Sequence, residues 1–284
     1  MITVFTPTFN RVYNLPKLYE SLKSQIFKDF EWLIVDDGST DGTHDLVDEW
    51  MENSPFPIRY SYQTNGGKHR AINNGVKLAK GEWFFIVDSD DTLPDDSLTI
   101  ANKWIETIKD NDSFAGACGL RKINGRVPDV KFEYLDISPL KIKHIIKTDK
   151  AEIFKTKILR NYPFPDFPGE KFCAESLVVN RMGQIYNIRY FNEVIYICEY
   201  LSDGLTKHVT ENRRLSYHYT TLLYKEQMMY APLVVDKIRA AINYWRFVKF
   251  TKNFKTIFKV PSWSFTMIPI GVIFRLKDYI ILRF

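Results

Sequence analysis

The stretch that decides the reading is Trp83-Phe84-Phe85-Ile86-Val87-Asp88-Ser89-Asp90-Asp91. Its five apolar residues, mostly aromatic or β-branched, predict a short strand buried on both faces, as in the centre of a parallel sheet. Three carboxylates in four residues follow. Like charges this close cost energy unless a cation sits among them, and Asp88 and Asp90, one residue apart, can turn two hard oxygen ligands toward an ion such as Mg2+ or Mn2+. A solvated acidic turn accounts for the charges alone. It does not account for their place at the end of the most apolar strand, where open α/β sheets bind ligands.

Upstream, strand and helix patterns alternate. Thr3-Val4-Phe5 reads as a strand broken at Thr6-Pro7-Thr8-Phe9-Asn10-Arg11, and Leu15, Leu18 and Leu22 mark a helix to about Gln25. Trp32 to Val35 is a second buried strand, ending in Asp36-Asp37-Gly38-Ser39. Thr40 or Asp41 caps a helix through Leu46, Val47 and Trp50; Ile58 to Tyr62 is a third strand, and Lys68 to Ala79 a helix. This order implies a parallel, doubly wound sheet with right-handed crossovers, whose strand-end loops at Thr6, Asp36 and Asp88 meet along one edge. Gly66-Gly67-Lys68-His69 is not a P-loop, and no GxGxxG occurs. A bound nucleotide diphosphate would need a metal and side chains to offset its charge.

Downstream, Pro94 opens a helix with Leu98, Trp104, Ile105 and Ile108 inward, and Phe114 to Leu120 is a fifth strand. Arg121 to Ile146 has weak periodicity. A proline and aromatic loop, Tyr162 to Gly169, leads through Glu170 into a helix near Cys173 to Met182. Val194 to Tyr200 is a late strand, followed by a polar turn from Ser202 to His208.

With 284 residues and 45% hydrophobic content, the chain can bury a sizeable core. Three cysteines without a CxxC pair point to free thiols, and the N-terminus lacks a signal-peptide pattern, so a cytoplasmic location is expected. The net charge of +5 is divided unevenly. From Lys207 to Phe284 there are 14 Lys and Arg against 4 Asp and Glu, net +10, leaving 25 against 30, net −5, before it. A localised basic, aromatic segment suits an anionic membrane surface and argues against nucleic acid as the partner.

These segments resemble the inverting glycosyltransferases of family 2, of the bacterial surface-polysaccharide type, with a GT-A fold. Val4 to Arg11 resembles the family's first strand and nucleotide loop, Ile34 to Asp41 its second, Asn65 to Gly75 a further donor-side segment, and Val87 to Asp91 its DxD metal motif. The resemblance implies a Rossmann-like, doubly wound, mainly parallel α/β sheet and a nucleotide-sugar donor, UDP-linked by preference. It implies Mg2+ or Mn2+ as cofactor, and a glycan or lipid-linked glycan as acceptor. Cys173-Ala174-Glu175-Ser176-Leu177 lies where the family carries its catalytic base, usually a Glu-Asp pair; here the second acid is Ser176, which leaves Glu175 as the base and Glu170 as a nearby rival. Asp90, with Asp88 or Asp91, would hold the ion. Asp37 would bond the nucleotide's base, with Pro7 and Phe9 packing nearby; Lys68 would bring a second cation to the phosphates, and His208 a contact to phosphate or metal. Lys68 and His208 could equally be solvated, and Glu175 could pair with Arg181.

The expected organisation is a transferase domain over 1–210, with a nucleotide-binding half at 1–100 and an acceptor half at 101–210. Residues 211–284 then form a basic, aromatic, helical and amphipathic appendage. In it, Lys249, Lys252, Lys255 and Lys259 recur among Phe250, Phe254, Ile257 and Phe258, and the uncharged stretch from Val260 to Phe274, broken by Pro261, Pro269 and Gly271, is too short to span a bilayer. It would lie on the inner face of the membrane as a peripheral anchor, unless the phenylalanines simply pack on the core. Two other functions compete. Asp88-Ser89-Asp90-Asp91-Thr92 after apolar residues also fits a haloacid-dehalogenase-like phosphatase with Asp88 as nucleophile, although three strand-helix units precede it. A non-catalytic sugar-nucleotide-binding scaffold is the other.

Overall fold

The first strand, β1 (Ile2–Thr8), does not stop at Pro7. In the computed structural model, β1 pairs with β2 (Phe30–Asp36) along its whole length but with β4 (Trp83–Ile86) only from Ile2 to Phe5. Pro7 lies beyond the last β4 pair, so its missing N–H breaks no ladder there. The structure describes residues 1–198, 208–249 and 259–281.

An eight-stranded sheet runs in the order β3 (Ile58–Tyr62), β2, β1, β4, β7 (Lys150–Lys155), β5 (Phe114–Ile123), β8 (Asn187–Cys198), β6 (Tyr134–Ile137). The first four strands are mutually parallel, β7 is antiparallel to β4 and β5, and β8 is parallel to β5. The sheet is thus the expected mainly parallel α/β type. The chain moves from β1 outward to β2 and β3, then returns to β4 on the other side. That reversal puts a crevice at the C-terminal ends of β1 and β4.

All seven residues of β1 and all seven of β2 are buried, because helices cover both faces. On one side, Val4, Trp32, Ile34 and Phe85 join a core with Leu15, Leu18 and Leu22 of α1 (Leu15–Lys23), Val47 and Trp50 of α2 (Thr43–Asn53), and Leu98, Trp104 and Ile105 of α4 (Ser97–Glu106). On the other, α3 (Lys68–Leu78) crosses β1 so closely that a Cβ on Gly75 would lie 2.1 Å from the Phe5 ring. Each large apolar side chain buried this way contributes about 1.5–3 kcal/mol.

Several boundaries differ from the sequence expectation. The N-cap of α2 is Gly42, with φ +86°, while Asp41 accepts bonds from the Thr43 N–H and hydroxyl. Helix α4 begins at Ser97, after Pro94. The weakly periodic region holds β6 and the short α5 (Pro139–Ile142); β7, whose mixed charged and apolar residues carry no strand pattern, and α6 (Thr156–Leu159) follow it. The helix expected near Cys173 is α7 (Ser176–Met182), and the late strand starts earlier, at Asn187.

By internal contacts the chain forms two units, Met1–Phe164 with Arg181–Ser202, and Pro165–Asn180 with Asp203–Phe284. The second contains α8 (Val209–Leu215), α9 (Tyr217–Tyr230), α10 (Val234–Phe247) and, after a 3-10 turn at Ser262–Met267, α11 (Ile268–Ile281). The stretch from Val260 to Phe274 is therefore not broken at Pro269 or Gly271. Pro269 falls in the first turn of α11, where no N–H partner is lost, and a Cβ on Gly271 would lie 2.6 Å from the Trp245 Cβ of α10. Of the expected basic amphipathic helix, Phe250, Lys252, Phe254, Lys255, Ile257 and Phe258 lie outside the described residues, as does the polar turn at 202–207.

Candidate active site

Three loops at the sheet edge are tied to one another by side chains. Asn10 (φ +51°) donates its N–H to the Ser39 hydroxyl at 2.8 Å and accepts the Thr40 N–H at 2.8 Å; the Val12 N–H reaches Asp41 at 3.0 Å. The loops after β1 and β2 thus form one surface. Pro7 is buried beneath it in β1, and Phe9 is 46% exposed at its rim.

Asp36 is held by the Tyr60 hydroxyl and the Ser39 N–H, both at 2.7 Å. Its neighbour Asp37, 4% exposed, accepts four bonds: Gly66 N–H at 2.8 Å, Gly67 N–H at 2.7 Å, Gln63 Nε2 at 2.8 Å and Asn65 Nδ2 at 3.2 Å. A carboxylate has about four lone-pair sites, so this set fills it. A nucleobase N–H bound to Asp37 would take the place of the Gln63 or Asn65 amide. The Asp37 clamp fixes the glycine pair, Gly67 at φ +98°, from which α3 starts. Gly38 has to be glycine because a Cβ would lie 2.9 Å from the Asn65 nitrogen.

The first residue of α3 is Lys68, and its Nζ lies 2.5 Å from Asp88 Oδ1. Burial pushes the Asp88 carboxyl up, but Lys68 and then Arg121 outweigh it and hold the group below the usual carboxylate range. Asp90 behaves oppositely: burial and the adjacent Asp88 raise it, against a downward pull from Arg11 and Lys68. Asp91 is pushed up to about 7, by burial first and Asp88 second. It is directed onto Tyr196, whose hydroxyl donates to Asp91 Oδ2 at 2.7 Å and accepts the Asp88 N–H at 2.9 Å. The Arg121 guanidinium stacks 4.0 Å from the Tyr196 ring. Thr92 and Ile197 exchange backbone bonds at 2.9 and 3.0 Å, which sews the acidic loop onto β8.

Among the described residues no group of three or more His, Cys, Asp and Glu is arranged to hold a metal ion. Asp88 and Asp90 nonetheless fit one. Two carboxylates completed by substrate phosphates and water are a set that Mg2+ accepts, and a cation would relieve the repulsion that raises Asp90. Asp91 is buried on Tyr196, and His208, in the second unit, precedes α8 with Nδ1 3.7 Å from Glu211.

In the second unit Glu170 and Glu175 differ sharply. Glu170 is 5% exposed and accepts the His218 N–H at 2.9 Å, His218 Nδ1 at 2.9 Å and the Tyr219 N–H at 3.1 Å, so it caps α9. Glu175 is half-buried just ahead of α7, its carbonyl accepting the Val178 and Val179 N–H groups. In the first unit, Asn73 of α3 exchanges two bonds of 2.9 Å with Phe164 and so anchors the start of the aromatic loop. Sequence reasoning missed Tyr196 and Arg121. Neither lies in a motif, and both act through the pairing of β5 with β8.

Comparison with known proteins matches this architecture. The family model described as glycosyl transferase family 2 matches residues 3–157. The chain is similar to the abequosyltransferase RfbV of Salmonella typhimurium, 37% identical over 39% of this chain and 34% of that protein. It is also similar to a poly(ribitol-phosphate) beta-glucosyltransferase of Bacillus spizizenii, 28% identical over 62% of this chain and 28% of that protein. The match thus takes in about a third of the length of these relatives. Among solved structures, S. aureus TarS 1–349 in complex with UDP-GlcNAc superposes with a TM-score of 0.66 at 23% identity, covering 95% of this chain and 79% of that one. The mannosyltransferase PcManGT of Pyrobaculum calidifontis, with GDP-Man and Mn2+, gives 0.52 at 18% identity, covering 98% and 87%. These likenesses show the GT-A fold.

Proposed function

The chain belongs to glycosyl transferase family 2, and from that membership we propose that it is a metal-dependent, inverting glycosyltransferase. The donor is a nucleotide sugar, UDP-linked, and the acceptor a polysaccharide or lipid-linked glycan of the cell surface. The observation that carries the reading is the Lys68–Asp88 ion pair at the end of β4, with Asp90 beside it, at the crevice between β1 and β4. The UDP-GlcNAc bound to TarS and the glycosyl-transferring names of the curated relatives support the donor and acceptor classes.

Asp88 and Asp90 would hold Mg2+ or Mn2+, which supplies positive charge to the departing diphosphate. Lys68 adds a second cation there, fixed in place by the Asp37 clamp on Gly66 and Gly67. Asp37 takes the nucleobase with Gln63 or Asn65 giving way, and Pro7 and Phe9 lie on the same side. Glu175 removes the proton from the acceptor hydroxyl as its oxygen bonds the anomeric carbon. The bond from that carbon to the diphosphate oxygen breaks, and nucleoside diphosphate leaves with inversion. The family match replaces the phosphatase reading of Asp88. The protein works at the cytoplasmic face of a membrane, with residues 211–284 as its peripheral attachment.

The test is nucleotide release by purified protein with Mn2+ or Mg2+ across UDP-, GDP- and dTDP-sugars. Metal-dependent release from UDP-sugars is expected. Rapid hydrolysis of a simple phosphate ester without donor preference would overturn the reading, and donor binding without turnover on any acceptor would favour the scaffold.

A further inference from the structure

Helix α11 (Ile268–Ile281) is built inside out. At 100° per residue, Gly271, Arg275 and Asp278 fall within one arc of about 60°, and this arc faces the protein: Gly271 against Trp245, Arg275 donating to the Arg246 and Trp245 carbonyls at 2.8 Å, and Asp278 bonded to Arg246 Nε at 2.7 Å and Nη2 at 2.5 Å. Arg214 adds a further contact to Asp278 at 3.5 Å. The apolar residues lie opposite. Ile270 (40% exposed), Ile273 (64%), Phe274 (42%), Leu276 (57%) and Ile280 (61%) fill an arc of about 160° whose one charge is Lys277. Trp263, exposed in the preceding turn, is of the type that sits at membrane-water boundaries.

A soluble helix turns its apolar stripe to the core and its charges to water. α11 does the reverse for two of its three charged residues, Arg275 and Asp278, which are satisfied by partners within its own unit. The outward stripe therefore calls for an apolar occupant. A second copy is disfavoured by charge, since the segment from Lys207 to Phe284 carries +10 and would meet its own like charge. An anionic bilayer meets it with the opposite charge. The helix, about 21 Å long, is too short to cross a bilayer, and no described helix is long and apolar enough to do so.

We infer that the exposed face of α11 is the membrane-docking surface, lying flat in the headgroup region of an anionic bilayer. This deepens the peripheral placement proposed above by naming the surface, and it does not depend on the donor chemistry. The test is co-sedimentation of the full chain with vesicles of phosphatidylcholine containing about one third phosphatidylglycerol, and with phosphatidylcholine alone. Wild type should sediment with the anionic vesicles at low salt. Ile273→Glu with Leu276→Glu should lower the vesicle partition constant by at least ~10-fold, with an unchanged melting temperature because both sites are exposed. Ile185→Glu, at an isoleucine 69% exposed in the other unit, should bind as wild type. Wild type that stays in the supernatant, or a double variant that binds like wild type, overturns the inference. So does a dimer seen by light scattering without lipid and abolished by the double variant, which would assign the face to a second copy. Loss of sedimentation with donor turnover intact would sink only the docking surface, and absence of turnover with sedimentation intact only the proposed activity.

Discussion

Tyr196 and Asp91 are 105 residues apart in sequence, yet the Tyr196 hydroxyl donates to the Asp91 carboxylate at 2.7 Å inside the core. The same hydroxyl accepts the Asp88 N–H, so one oxygen of β8 fixes both ends of the acidic turn. Tyr196→Phe keeps the ring and its stacking on Arg121 but leaves the buried Asp91 carboxylate and the half-buried Asp88 N–H each short of a partner. A stability loss of about 1–3 kcal/mol is expected. If the hydroxyl also orients Asp88, Mn2+ affinity measured by calorimetry with UDP present should fall by ~10-fold, the lower end of what lost outer-shell partners cost. Equal affinity in folded Tyr196→Phe would reduce the bond to a purely structural one.

Stability should fall in acid through Glu31. This residue, 2% exposed on β2, accepts the Thr3 hydroxyl and the Lys80 N–H at 2.7 Å and Arg59 Nη1 at 3.1 Å. Burial raises its carboxyl, but Thr3, Lys80 and Arg59 outweigh that and leave it below its ordinary value. A group depressed in the folded state adds stability above its unfolded value and loses it as pH falls through the folded one. Urea unfolding should therefore show a decline below about pH 4 that Glu31→Gln lacks. At pH 7 the variant should already be about 1–3 kcal/mol less stable. A wild-type acid slope unchanged in Glu31→Gln would place the acid sensitivity elsewhere.

The strands and loops that carry the candidate site were legible because they are local. A continuous apolar run ending in acids identifies β4 without knowledge of its neighbours, and the loops after β1 and β2 follow by the same logic. What stayed hidden depends on long-range pairing. Lys150 to Lys155 mixes charged and apolar residues, and only its place between β4 and β5 buries Ala151 and Ile153. Tyr196 reads as one more strand aromatic until β8 is set in register with Arg121 of β5. Lys68 showed as a lysine at a helix start, but not that Asp37 aims it. The reversed polarity of α11 escaped because its sequence, read alone, is a hydrophobic helix with three charges.

Metal dependence has a direct test in Asp90→Asn. The substitution keeps size but replaces one of two anionic oxygen ligands by a neutral amide, and it also removes the burial cost that raises the Asp90 carboxyl. Metal-dependent UDP binding should be lost or weakened by at least ~10-fold, while the melting temperature without metal stays the same or rises. Calorimetry of UDP with and without Mn2+ reads the first, and a thermal scan the second. Retention of the full metal effect on UDP affinity would move the ion away from Asp90.

The two glutamates before α7 should separate chemistry from folding. Glu170 already accepts three groups at the start of α9, so Glu170→Gln would set an amide NH2 against N–H donors and strip charge from a helix N-terminus. Its expected cost is stability, about 1–3 kcal/mol, with turnover of the folded protein changed only a few-fold. Glu175 stands just ahead of α7, half-buried, its carbonyl accepting the Val178 and Val179 N–H groups of that helix. A base that only deprotonates the acceptor acts in the transition state and contributes little to donor affinity. Glu175→Gln should therefore leave the UDP-sugar dissociation constant and the melting temperature nearly unchanged, while kcat falls by ~10²- to 10⁴-fold. The pair of readouts, melting temperature and single-turnover rate with donor saturating, makes the assignments exclusive. A large rate loss in Glu170→Gln without destabilisation, or near-normal turnover in Glu175→Gln, would move the base and leave the donor site as it stands.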